Sequence, residues 1–259
     1  MQKTNYYEKS IQKMKYNGYS PNTIKSYSAV IYNFLEWSKC YPSRLKSDDI
    51  QKYLNTLTFK SGSHKNRYIS SLKFFYEKVL LKKNLSLIDF ARPRPKKTQP
   101  RVIDQQRLKK IILSVKNVKH KAILSLGFSC ALRISEVKNI KICDIDSDRM
   151  TILVRNGKGN KDRYVPFTQE LLKILRNHYR ENKPEEYLFD ISISSMQKIC
   201  KKHCKTNFHT LRHSGATAMM ENGTHLNILQ SILGHKKSTT TEIYLHISKS
   251  HLEQAKMAI

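Results

Sequence analysis

The sequence lacks the features that mark several large classes of protein. It contains no Gly-x4-Gly-Lys-Ser/Thr loop for a nucleotide and no cluster of acidic residues for magnesium. No apolar run approaches the length needed to cross a membrane, and the first ten residues, MQKTNYYEKS, include no apolar segment typical of a signal peptide. The five cysteines are an odd number without a framework spacing. These absences predict a reduced, cytoplasmic protein with no cofactor and no membrane partner.

Negative charge is also scarce. The chain has 20 acidic against 48 basic side chains, which gives a net charge of +28. The first 100 residues hold 20 basic and 6 acidic side chains, and the other 159 hold 28 and 14. A compact fold with this much self-repulsion indicates a polyanionic partner such as nucleic acid, contacted by both halves of the chain. Composition alone also allows a Lys-rich, solvated surface without such a partner.

Apolar residues at helical spacing dominate the first part of the chain. Pro21, directly after Ser20, is a favoured first residue of a helix, and apolar residues then recur with a helical period from Ile24 to Leu35. Similar patterns predict helices over about 3–17, from about residue 47, and over about 63–81. We therefore expect a four-helix domain over residues 1–90, with basic side chains interleaved among its apolar stripes so that one face meets phosphate.

Prolines and basic residues mark a linker over residues 91–103. Proline removes backbone donors and stiffens the chain, so no helix is expected to run through this segment. Its basic side chains are candidate DNA contacts, although a solvated connector explains them equally well. The candidates are Arg92, Arg94, Lys96 and Lys97.

Residues 104–259 predict a second, mostly helical domain with one small antiparallel sheet. Helices are expected over 104–115, 119–129, about 168–180 and 194–205. Two short strands, MTILVRN at 150–156 and KDRYVPF at 161–167, flank the tip Gly-Lys-Gly-Asn. The fold class is therefore mainly α, of α+β type.

Two candidate groups precede the end of this domain. Arg133, in the segment ALRISE, is expected near the N-terminus of a helix capped by Ser135, where backbone donors favour anions, and Glu136 is placed to pair with a neighbouring cation. Lys158 occupies the hairpin tip, and Lys161 and Arg163 alternate along the following strand, where they are candidate DNA contacts in the same groove. Each signal is weak on its own.

The stretch from residue 209 to 244 gathers groups suited to phosphate chemistry. His209 and Arg212 are three residues apart and share a helix face, whereas His213 is expected to point elsewhere in a structural role. Gly234 ends a helix directly before His235. A capped last helix carries Tyr244, the potential nucleophile.

A zinc site is the alternative reading of four residues here, namely Cys200, His203, Cys204 and His209. Two cysteines four residues apart on one helix lack the paired-knuckle spacing of structural zinc sites. We therefore predict no metal.

The ordered set ALRISE, GKGNKDRYVP, HTLRH, LGH and Tyr244 resembles the tyrosine recombinase (phage integrase) family, in particular its compact Xer-like members. The resemblance implies a core-binding, SAM-like domain followed by a catalytic domain over 104–259. It also implies a homotetramer on two double-stranded DNA sites, with or without a partner recombinase, and a covalent 3′-phosphotyrosyl intermediate formed without metal or ATP. The implied catalytic residues are Arg133, Lys158, His209, Arg212, His235 and the nucleophile Tyr244, supported by Glu136.

One departure and three alternatives accompany this resemblance. The arginine motif usually carries glycine where this chain has Ala131, so we expect the same turn with less backbone freedom. A DNA-binding or architectural protein without chemistry would share the charge, and a topoisomerase IB-like nicking and closing enzyme would share the chemistry. Within the family, integration or excision of a mobile element and Xer-like dimer resolution both remain open.

Overall fold

The computed structural model describes residues 2–38, 40–82, 101–155 and 162–234. The chain forms two compact units, Met1–Lys97 and Thr98–Ile259. Among the described residues, no helix combines the length and the apolarity that crossing a bilayer requires. Each unit has a hydrophobic core of its own.

The first unit contains the four predicted helices. The second of them begins as its sequence predicts, because Pro21 is its first residue and the Ser20 hydroxyl accepts the backbone N–H of Thr23 at 3.2 Å. The fourth continues directly into a π-helical segment, Phe75–Val79. The helices are α1 (Gln2–Tyr16), α2 (Pro21–Trp37), α3 (Ser47–Asn55) and α4 (Gly62–Phe74), with a short 3-10 helix at Pro42–Arg44.

Aromatic side chains form much of the core of the first unit. Phe34 of α2 makes edge-to-face contacts with Tyr53, Phe75 and Tyr76, at centroid distances of 5.1, 6.3 and 6.0 Å. The buried Tyr76 hydroxyl donates to the Pro42 carbonyl at 3.1 Å, so its polar end is satisfied. The apolar stripes of α2, α3 and α4 therefore meet in one interior.

The second unit is mostly helical, as predicted. Side-chain caps begin five of its helices, and in each the oxygen of an Asp, Asn, Thr or Ser accepts a backbone N–H three residues on. The helices are α5 (Gln105–Ser114), α6 (Val118–Ser129), α7 (Ile134–Lys138), α8 (Gln169–Asn182), α9 (Ile193–Cys204), α10 (Phe208–Glu221) and α11 (Leu226–Leu233), with a 3-10 turn at Ile142–Asp144.

The small sheet has three antiparallel strands in the order β1 (Ile145–Asp146), β2 (Thr151–Val154) and β3 (Arg163–Pro166). Ile152 lies opposite Val165, and Val154 lies opposite Arg163. The two predicted strands are present within the described residues. The sequence did not predict β1, because two residues are too short to show an alternating pattern.

Helix α6 is the centre of the second unit. It is buried along most of its length and packs against α8 and α10. The backbones of α6 and α10 touch at Gly215, which has no side chain. A Cβ atom at this position would overlap the carbonyl oxygen of Phe128. Glycine at 215 is therefore required by the distance between the two helices.

Replacing Gly215 with alanine tests this close approach. We expect Gly215→Ala to lower the free energy of unfolding by about 3 kcal/mol, at the upper end of overpacking effects, because a backbone carbonyl cannot rotate away. Urea denaturation would measure the change. Gly127→Ala is the matched control, because its Cβ would first meet the Phe208 ring at 2.5 Å, and a ring tilts more easily than a helix moves. Equal effects of the two substitutions would contradict this account.

Candidate active site

The carboxylate of Glu136 is the centre of the site. It is buried, and three arginine side chains surround it. Arg133 donates at 2.7 Å, Arg163 donates twice at 2.9 and 3.1 Å, and Arg212 donates at 3.4 Å. Three guanidinium groups around one carboxylate leave an excess of two positive charges. Such a cluster favours a bound anion.

Arg133 lies at the start of the short helix α7. It is the N-cap residue, and its backbone N–H donates to Glu136 at 2.8 Å. Ser135 is inside the helix, so the predicted Ser135 cap is wrong: the carboxylate three residues after Arg133 takes that role. Ala131, before Arg133, has φ +47° and keeps the expected turn in a region that glycine adopts more easily.

Arg163 comes from strand β3. Its side chain is only 9% exposed and donates to Glu136 and, through Nε, to the Ile232 carbonyl at 2.6 Å. The sequence predicts Arg163 as a DNA contact, and the structure instead places its guanidinium against Glu136 and the Ile232 carbonyl. The alternation of the strand could have indicated this inward direction, because Arg163 lies on the same strand face as the buried Val165.

Arg212 lies on α10 and is 3% exposed. It contacts Glu136 and also donates to the Leu233 carbonyl at 3.0 Å. Two arginines thus bind the last carbonyls of α11, which are unpaired within the helix and carry its negative dipole end. Gly234 then ends α11 with φ +63°, as predicted, and a Cβ there would lie 3.3 Å from the Arg163 side chain.

The arginines also control the ionisation of Glu136. Burial favours the neutral acid, but the hydrogen bonds and charge of Arg163, the backbone N–H of Arg133 and the charge of Arg212 outweigh it. The pKa of Glu136 is therefore lowered, and the group is a carboxylate at neutral pH. Its negative charge lets cationic groups from three elements share one interior.

His209 and His213 form a pair on α10. Their Nε2 atoms are 2.8 Å apart, so the prediction that His213 points elsewhere is wrong: residues four apart share a helix face. Burial and the charges of Arg212 and Arg133 lower the pKa of His209. Burial, His209 and Arg212 lower the pKa of His213 to about 4. Both rings are therefore neutral at pH 7.

The alternative zinc ligands do not converge. Cys200 and Cys204 are buried in the core of the second unit, while His203 faces His120 across 3.2 Å. Within the described part of the chain, no three His, Cys, Asp or Glu side chains are grouped for a metal ion. A cavity of about 420 Å³ between α5, α6, α8 and α10 includes none of the candidate site residues.

The structure thus brings Arg133, Glu136 and Arg212 into one hydrogen-bonded cluster and places His209 on the same helix as Arg212. This part of the site can bind an oxyanion and hold a neutral imidazole beside it. The remaining predicted residues lie outside the described residues. They are Lys158, Lys161, His235, Tyr244 and the linker residues Arg92, Arg94, Lys96 and Lys97.

Known protein families match nearly the whole chain. Residues 101–251 match the phage integrase family, and residues 6–84 match the N-terminal SAM-like domain of phage integrases. The tyrosine recombinase XerA of Pyrococcus furiosus is 31% identical over 93% of this chain and 89% of its own length. The tyrosine recombinase XerC of Lactobacillus leichmannii is 33% identical over 90% and 91%.

Solved structures show the same fold. A crystal structure of XerA recombinase covers 99% of this chain and 98% of its own, with 27% identity and a TM-score of 0.57. A lambda integrase dimer bound to a core site aligns with a TM-score of 0.77 over 93% of this chain and 94% of its own, at 14% identity. The chain belongs to the phage integrase family, whose members are tyrosine-type site-specific DNA recombinases.

Proposed function

We propose that this recombinase cleaves and rejoins DNA through Tyr244 and the arginine cluster around Glu136. The observation that carries the proposal is this cluster, in which three guanidiniums and one buried carboxylate leave net positive charge beside a neutral imidazole. A phosphodiester gains negative charge on its non-bridging oxygens in the transition state. Arg133 and Arg212, assisted by His235, would stabilise that charge, and each such donor typically contributes a hundred- to a thousandfold in rate, about 3–4 kcal/mol.

The proposed chemistry needs no metal or nucleotide. Tyr244 attacks phosphorus, its hydroxyl proton passes to His209, and Lys158 protonates the leaving 5′ oxygen. The product is a 3′-phosphotyrosyl enzyme, which conserves the energy of the broken bond. A 5′ hydroxyl from a partner strand then attacks this link and rejoins the DNA. The roles of Lys158, His235 and Tyr244 follow from the family motifs.

A nicked suicide substrate tests this function. The site bound by the purified protein would first be selected from random duplexes, because the target sequence is not evident from the chain. A nicked copy of that site should trap a covalent protein–DNA adduct in EDTA without nucleotide. Tight binding without an adduct would favour an architectural role, and relaxation of supercoils without strand exchange would favour a topoisomerase IB-like activity.

We infer that the first unit is the core-binding domain and uses the surface between α2 and α4. A groove of about 360 Å³ there is bordered by the exposed basic side chains of Lys25 and Arg67, together with polar and apolar residues of both helices. Arg67 also borders a second depression at the N-terminus of α4, with Lys60, Ser61, Ser63 and His64. Basic side chains beside the N–H groups of a helix N-terminus suit a phosphate backbone.

Arg67→Ala tests this surface. The variant should bind the selected DNA more weakly and, because one phosphate contact is lost, the slope of log K against log salt should fall by about 1. Fluorescence anisotropy between 50 and 200 mM salt would measure both quantities. Lys9→Ala on α1, an exposed basic residue away from the groove, is the control. A salt slope unchanged by Arg67→Ala would remove Arg67 from the interface.

Strand exchange between two duplexes requires four cleavage events, so we propose a homotetramer on two sites, in the cytoplasm. The excess of basic over acidic side chains in both halves of the chain supports a protein that contacts DNA through both units. Sedimentation of the protein with its selected site should detect a species of four chains and two duplexes. A single chain per duplex under conditions of active recombination would contradict this assembly.

A further inference from the structure

Two imidazoles contact each other edge to face on one face of α10. His209 is exposed and His213 is partly buried behind it. Their ring centroids are 4.2 Å apart with an interplanar angle of 74°, and the short contact joins Nε2 to Nε2 at 2.8 Å. This distance is that of a hydrogen bond, which fixes the orientation of the two rings relative to each other.

The bond constrains the protonation of both rings. A neutral imidazole has one N–H donor and one lone-pair acceptor, so one Nε2 must donate and the other must accept. The charged groups that face the pair are two arginines and one carboxylate. Arg133, at the start of α7, and Arg212, on α10, only donate, and the Glu136 carboxylate already accepts from three arginines.

We propose that His213 is a positioning residue that accepts the Nε2 hydrogen of His209 and thereby presents the Nδ1 lone pair of His209 as the proton acceptor for Tyr244. This inference rests on the proposed function, in which His209 is the base. In the opposite arrangement His209 would use its Nε2 lone pair to bind His213 and would carry a hydrogen on Nδ1. It could then take a proton only after that bond had broken.

The proton and bond changes balance in the proposed arrangement. As the bond between Tyr244 oxygen and phosphorus forms, the hydroxyl proton moves to Nδ1 of His209. The bond from phosphorus to the 5′ oxygen breaks, and that oxygen takes a proton from Lys158. His209 becomes an imidazolium with both nitrogens protonated, and its Nε2 hydrogen bond to His213 persists and becomes charge-assisted. His213 stays neutral throughout.

Two substitutions separate positioning from packing. His213→Phe keeps a ring but removes the acceptor, and the single-turnover rate of adduct formation should fall about 10- to 100-fold, as for loss of other orienting partners. His213→Gln places an amide oxygen near the former Nε2 and should restore the rate to within about threefold of the native protein. The control is His203→Phe, which breaks another imidazole pair of the second unit, between His120 and His203. It should react normally.

The pH profile distinguishes the two kinds of defect. Without its acceptor, the His209 imidazolium is less stable, so the acid limb of the rate profile should move to lower pH in His213→Phe and stay in place in His213→Gln. A packing defect would lower the rate equally at all pH values. An unmoved acid limb would therefore overturn the proposal, even with a slower enzyme.

Nitrogen NMR tests the tautomer without any reaction. In long-range ¹H–¹⁵N spectra at pH 7, His209 should show an unprotonated Nδ1 and a protonated Nε2. An unprotonated Nε2 on His209 would overturn the positioning role, whether or not the protein forms adducts. Conversely, the expected tautomer in a protein that never forms an adduct would reject the proposed function but keep the pairing. The native protein suffices for this measurement if a variant fails to fold.

Discussion

Tyr244→Phe should bind the selected DNA like the native protein and yet form no covalent adduct on a nicked substrate. The substitution removes one oxygen atom, the proposed nucleophile, and keeps the ring. Loss of the nucleophile from a serine protease lowers kcat by about 10⁶-fold, and a loss of that order would leave no adduct on a gel. Denaturing electrophoresis of labelled DNA measures the adduct, and anisotropy measures binding.

The chain has 14 tyrosines, so the control must be another of them. Tyr164→Phe is well matched, because Tyr164 lies on β3 beside Arg163 and its side chain is exposed. It should form adducts at the native rate. If Tyr244→Phe forms adducts and Tyr164→Phe does not, the nucleophile has been assigned to the wrong residue. If neither forms adducts while both bind DNA, a general disturbance of the site is indicated.

Glu136→Ala should lower the free energy of unfolding of the second unit by about 3–5 kcal/mol, because it leaves buried guanidiniums without their counter-charge. For a unit of this size, such a loss lowers Tm by about 6–20 °C. The cleavage rate should fall as well, since Arg133 and Arg212 lose the acceptor that orients them. Differential scanning calorimetry and the nicked-substrate assay measure the two effects.

An exposed ion pair gives the control for this experiment. Glu170 lies 3.3 Å from Lys109, and both side chains are more than half exposed. Glu170→Ala should cost less than about 1 kcal/mol, as is usual for surface pairs. Similar stability losses for Glu136→Ala and Glu170→Ala would show that the arginine cluster does not depend on its carboxylate.

The lowered pKa of Glu136 adds a dependence on pH. Because the folded-state pKa lies below the unfolded value of about 4.3, the stabilisation is complete above that pH and is lost as the pH falls through the folded pKa. Glu136→Gln cannot titrate, so its deficit relative to the native protein should be largest at neutral pH and should shrink in acid. Urea denaturation at pH 7 and pH 3.5 would show a constant deficit if Glu136 were not the titrating group.

Local patterns predicted most of the fold and part of the site. Periodicity and caps gave the helices, and the spacing in HTLRH placed His209 and Arg212 on one helix. What the sequence did not predict was the meeting of Arg133, Arg163 and Arg212 at one carboxylate, because Arg163 is 27 residues and Arg212 is 76 residues along the chain from Glu136. The periodicity of apolar residues identifies which face of a helix or strand is buried. It does not identify the residues that pack against that face, because these depend on the tertiary structure.

The incorrect local predictions have local causes. Serine is a favoured N-cap residue and therefore indicates a cap at Ser135, whereas the buried carboxylate of Glu136 accepts the backbone N–H of Arg133, so the helix begins two residues earlier. His213 lies four residues after His209, and this spacing brings side chains together on one face of a helix, so the contact follows from the sequence. The contact between Arg133 and Glu136 and the contact between His209 and His213 both join residues three or four positions apart, so both can be predicted from the sequence.

The contact between Gly215 and Phe128 also has a consequence for how this sequence can change over time. Helix α10 carries Arg212, and Arg133 follows shortly after α6, so the separation of these arginines depends on how closely the two helices approach. Where they meet, backbone faces backbone at a glycine, and no side chain stands between them that could lose or gain a methylene group. Substitutions elsewhere in the core can therefore accumulate while the distance between Arg133 and Arg212 stays constant.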